Sequence, residues 1–102
     1  MKKLFAVLAI SSVLASPAMA ADAMNLAKSK NCLACHAMDK KLVGPSFKDV
    51  AAKYASDKGA VDKLAVKIMK GGAGVWGAIP MPANNVTDAE AKSLAAWVLS
   101  VK

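Results

Sequence analysis

Cys32-Leu33-Ala34-Cys35-His36 places two thiols three residues apart with an imidazole directly after them. On a helical turn, side chains at i and i+3 face the same way. Both thiols can then add to the two vinyl groups along one edge of a haem, and the following imidazole can swing beneath the ring as a proximal ligand to iron. This C-x-x-C-H spacing is that of covalent c-type haem attachment. Two other chemistries use the same residue types. Cys32 and Cys35 are the only cysteines, so in an oxidising compartment they could form a disulfide or work as a thiol–disulfide redox pair. A thioredoxin-like motif, however, belongs beside a βαβ pattern, and no segment of useful length here alternates with a period of two. A structural zinc site needs four ligands, and His36 is the only histidine.

If His36 holds one face of an iron, a second histidine is not available from within the chain, and methionine is the natural ligand for the other face. Met38 stands two residues from His36 and cannot easily reach around a ring. Met69 falls on the apolar stripe of a helix, and Met24 precedes the cysteines in another. Met81 differs, because Pro80 and Pro82 hold it in an extended segment 45 residues after His36, long enough for the chain to cross to the far face. With His36 and Met81 both bound, no iron position remains for oxygen or peroxide, and the chemistry reduces to passing single electrons at a relatively high potential. The alternative is catalytic. A labile Met81 would leave a five-coordinate iron that binds small ligands or reduces peroxide.

The elements that must position these groups read as short helices separated by Gly and Pro punctuation. The first runs from about Asp22 to Lys30. The second has Ser46 as N-cap with Asp49 three residues on, and carries Phe47, Val50, Ala51 and Tyr54 on one stripe. The third shows Val61, Leu64, Ala65, Ile68 and Met69 at helical spacing, with Lys63, Lys67 and Lys70 sharing the other side. In the fourth, Thr87 and Glu90 make a capping box before Ala91, Leu94, Ala95, Val98 and Leu99. The pattern predicts an all-α domain. Between the third and fourth helices, residues 71–82 hold four of the six glycines and two of the four prolines. Neither helix nor strand can run through them. The glycines do not make a phosphate loop, since no strand precedes them and no Lys-Ser or Lys-Thr pair follows.

The chain has 102 residues, 56% of them hydrophobic and 5% aromatic, which suits one small folded domain. Met1-Lys2-Lys3, an apolar stretch from Leu4 to Leu14, and Ala18-Met19-Ala20 together read as a secretory signal peptide cleaved after Ala20. The apolar run is too short for a membrane anchor, which needs roughly 18 or more such residues. Residue 21 is alanine, so the new N-terminus offers no thiol for a lipid. The remaining domain, 21–102, carries twelve lysines against seven acids, a formal charge of +5. An 82-residue chain of this composition has a thin aliphatic core, and such domains commonly recruit a disulfide, a metal or a cofactor. The lysines suit docking on acidic surfaces of partner proteins, or else are simply a solvated surface. Export argues against nucleic acid as a partner.

These residues resemble the small bacterial class I cytochromes c of the c-551/c-552 (c8) group, over essentially the whole of 21–102. The resemblance rests on Cys32-Leu33-Ala34-Cys35-His36, Val43-Gly44-Pro45, Lys48-Asp49-Val50-Ala51, Gly74-Val75-Trp76-Gly77, Ile79-Pro80-Met81-Pro82 and Ala96-Trp97-Val98-Leu99-Ser100. It implies about four short helices wrapped around one haem c bound through Cys32 and Cys35. It further implies that the Pro45 carbonyl accepts from the free ring nitrogen of His36, that Trp76 bonds a haem propionate, and that Asn84 orients Met81 near its sulfur. Lys67 falls where some relatives place an arginine beside a propionate, and lysine supplies the charge without the planar fork. For Trp76 the alternative is plain core packing. The implied role is that of a monomeric periplasmic electron carrier without a membrane anchor. Its implied partners are redox proteins such as a periplasmic reductase, a terminal oxidase or a quinol-oxidising cytochrome complex.

Overall fold

The computed structural model describes residues 17–102, with side chains described from Asp22 onward. The expected leader therefore lies outside the described residues except for its last four, which form the start of helix α1 (Pro17–Ser29). This helix begins ahead of the position read from periodicity. Pro17 can occupy its first position because a missing N–H costs nothing there.

The other helices start where their caps dictate. In α2 (Phe47–Lys53), the Asp49 N–H donates to Ser46 Oγ at 3.0 Å. Helix α4 (Asp88–Leu99) opens on a complete capping box. The Glu90 N–H donates to Thr87 Oγ1 at 3.1 Å, and the Thr87 N–H donates to Glu90 Oε1 at 2.9 Å. Between α2 and α3 (Ala60–Lys70), the two Asp57 carboxylate oxygens accept from the Gly59 N–H at 2.9 Å and from Lys63 Nζ at 2.7 Å.

The Lys63 ammonium, helped by the Gly59 N–H, holds the Asp57 carboxyl below its ordinary value of 3.8. A lowered folded-state value means that this contact stabilises the fold above the ordinary value and fades as pH falls through the lowered one. Lys63 is exposed and Asp57 only half-buried, so solvent screening keeps the effect small. We expect Asp57→Asn to lower the urea midpoint slightly at neutral pH, with the gap to the parent protein closing in acid.

Helix α4 packs against α1, α2 and α3 and so organises the molecule. Among the described residues, seven of the eleven buried apolar ones are alanines. Such small side chains let helices approach closely, as Ala65 does with Ala91 and Ala95, but they fill little volume. Three of the larger buried groups, Phe47, Val50 and Val98, form a second cluster flanked by Cys32, Leu64 and Trp97. That thinness agrees with the expectation that something besides aliphatic side chains completes the centre. Among the described residues there is no strand, only the isolated bridges His36–Lys41 and Gly72–Met81. No described helix is long and apolar enough to cross a membrane.

Candidate functional site

The Cys32–Ala34 segment forms a single 3-10 turn, entered through Asn31 in the left-handed region at φ 62°. The N–H groups of Cys35 and His36 both return to the Cys32 carbonyl, at 3.3 and 3.0 Å. This tight turn brings Cys32, Cys35 and His36 to the wall of one cavity of about 540 Å³. Burial pushes the Cys32 thiol above its ordinary value. Exchange-active cysteines have lowered values, so this burial gives Cys32 no activation as an exchange thiol. No group of three possible His, Cys, Asp or Glu metal ligands exists among the described residues, which disfavours a zinc site.

His36 Nδ1 lies 2.7 Å from the Pro45 carbonyl oxygen. A carbonyl can only accept, so Nδ1 carries the proton and Nε2 is left as the donor atom for a metal. The short loop between them is closed by the Gly44 N–H, which donates to the Cys35 carbonyl at 2.8 Å. It presses close to the ring, since a Cβ on Gly44 would fall 2.6 Å from His36 Cε1.

The other wall comes from residues 72–82, which line the cavity nearly throughout. Gly71 ends α3 at φ 71°, and Gly72 and Met81 then exchange both backbone hydrogen bonds, at 2.9 and 2.8 Å. Of Met24, Met38, Met69 and Met81, only Met81 lines the cavity. A side chain on Gly71 would collide with the Met81 carbonyl and stand 2.8 Å from the Ala83 nitrogen. Because these are backbone atoms, they cannot turn aside. We expect Gly71→Ala to cost about 1–3 kcal/mol from strain alone, measured by urea unfolding, and to disturb Met81 before it disturbs α4.

Three residues implied by resemblance take up distinct places. Lys67 does not share an outer face with Lys63 and Lys70 but lines the cavity, its ammonium lying against Gly72. Trp76 also lines it, yet is 43% exposed, with Lys53 Nζ 5.4 Å from its ring centroid. Plain core packing does not describe that position. Asn84 is bonded to the segment that carries Met81. Its Nδ2 donates to the carbonyls of Ile68 at 3.0 Å and Pro82 at 3.3 Å. These bonds tie Asn84 to the end of α3 and to the segment carrying Met81.

The donor set fits a covalently held haem. Two thiols, an imidazole with Nε2 free to ligate and a thioether border one largely apolar cavity, whose size lies within the range of small-molecule sites. Residues 20–102 match the cytochrome c family. The chain belongs to that family. Cytochrome c-552 of Hydrogenobacter thermophilus is 65% identical over 77 residues, covering 76% of this chain and 79% of the relative. Cytochrome c-551 of Pseudomonas aeruginosa is 54% identical over 99 residues, covering 97% and 95%. The crystal structure of wild-type Nitrosomonas europaea cytochrome c552 is 56% identical, with a TM-score of 0.75 over 78% of this chain and 99% of that one. The molecule is therefore a class I cytochrome c of the c-551/c-552 group, with the four-helix fold of that group. It is a monohaem electron carrier whose haem c is bound through Cys32 and Cys35.

Sequence reading of this cytochrome overlooked Phe47 and Lys53 as neighbours of the site. Phe47 registers only as a core position on its helix, and Lys53 as one lysine among fourteen. Neither carries a local signal, because each meets its partner only across the folded chain.

Proposed function

We propose that this cytochrome shuttles single electrons in the periplasm, with His36 and Met81 as the two axial ligands of its iron. Bound haem supplies one-electron iron redox chemistry at a potential that Met/His ligation raises. The observation that carries the reading is that His36, with Nε2 left free by Pro45, and Met81 border the same cavity as both cysteines. Pro45 orients the imidazole, while the Gly72 pairing holds the Met81 backbone in place. Lys67 and Trp76 are placed in the same wall, where an ammonium and an indole N–H suit a propionate. Export follows from the signal-like N-terminus.

The lysine excess supports docking on acidic faces of redox proteins: a periplasmic reductase, a terminal oxidase or a quinol-oxidising cytochrome complex. Transfer rates to such a partner should fall as salt rises. The first test is the visible spectrum of the oxidised and reduced protein with an alkaline pyridine assay. A c-type spectrum bearing the weak sulfur-to-iron band supports the His36/Met81 carrier. Thioether-linked haem without that band overturns the Met81 assignment.

A further inference from the structure

Phe47 is 4% exposed and sits at the first position of α2, two residues after Pro45. Its ring is stacked on the His36 imidazole, with centroids 5.1 Å apart and planes inclined by 22°. Behind it, Trp97 of α4 meets Phe47 edge-on, at 5.2 Å and 67°. Three aromatic rings thus run in series from the last helix to the imidazole. Phe47 is fixed on its backbone side as well, since its N–H donates to the Ala37 carbonyl at 2.9 Å.

A hydrogen bond through one ring nitrogen leaves the imidazole free to rock about the Nδ1–oxygen line. The stacked ring and the Gly44 backbone remove that freedom, because tilting the imidazole would drive it into one or the other. We infer that Phe47 is a positioning residue for His36: its stacked ring, braced by Trp97, sets the plane of the imidazole and keeps water from it. The inference rests on the reading of His36 as an iron ligand. Outer partners of a ligating histidine set both its orientation and the polarity around it. Loss of the stack should therefore change the electronic signature of the centre as well as its stability.

The test compares electron paramagnetic resonance g-values and midpoint potential of the oxidised, haem-loaded protein across four variants. Phe47→Leu keeps an apolar side chain but loses the stack, and the g-values should shift and the potential fall as water reaches the ring. Phe47→Tyr keeps the stack and should retain both. Gly44→Ala forces the imidazole to move and should shift the g-values even if Phe47→Leu folds poorly. Val86 packs against the Ala65, Ala91 and Ala95 cluster, which does not include Phe47, so Val86→Ala should lower stability and leave the g-values in place. Unchanged g-values in Phe47→Leu, with a spectrum still abolished by His36→Ala, would overturn the inference and spare the ligand reading. A spectrum indifferent to His36→Ala would overturn both.

Discussion

Replacing Met81 by alanine should lower the midpoint potential by more than about 0.1 V, well within the roughly 0.8 V range that axial ligands command. It should also make the reduced protein bind carbon monoxide rapidly and give it detectable peroxidase activity. The expectation follows from placement, since Met24, Met38 and Met69 do not border the cavity and no second histidine exists. The fold should survive. Met81 is only half-buried, and its backbone, which the substitution keeps, makes the pairing with Gly72. Equilibrium potentiometry and stopped-flow carbon monoxide binding check the result, and an unchanged potential and ligand affinity would remove Met81 from the iron.

The second large effect is expected when Cys32 and Cys35 are both changed to alanine. Haem should then no longer migrate with the polypeptide in denaturing electrophoresis. The loss should also be structural, because Cys32 packs against the Phe47, Val50 and Val98 cluster beside the cavity. The helices around that cavity bury mostly alanine, so a protein that loses the group filling it has little else to hold α2 and α3 to α4. Far-ultraviolet circular dichroism of the double variant should show much of the helix signal gone at room temperature. Haem that stays with the chain under denaturing conditions would refute the thioether attachment.

What could be read beforehand was what acts locally. Ser46 and Thr87 cap helices through bonds to residues three positions on, so the starts of α2 and α4 stand in the sequence. The donor set is legible for a similar reason: C-x-x-C-H is contiguous, and Pro80 and Pro82 announce the unusual backbone around Met81. Helical periodicity placed Lys67 with Lys63 and Lys70, but it counts positions on one helix and knows nothing of the loop that folds back over it. Of the two backbone partners of Asn84, Ile68 stands sixteen positions away and Pro82 two, so only the second is near it in the sequence. The stack of Phe47 on His36 joins residues eleven apart, and only the closed Gly44–Pro45 loop makes them neighbours.

The reciprocal bond pair between Gly72 and Met81 gives residues 72–81 a base of only two amide links, with a single further backbone bond, Gly74 to Gly77, inside. Such a segment should behave as a separate unit of local stability that opens while α3 and α4 stay intact. In native-state hydrogen exchange, the amides of Gly72 and Met81 should therefore open together, at a free energy below that of the α4 amides and nearly independent of denaturant. The methionine side of the pocket should then have its own opening equilibrium, whereas the histidine side, braced by the aromatic series to α4, should open only at the higher free energy of the α4 amides.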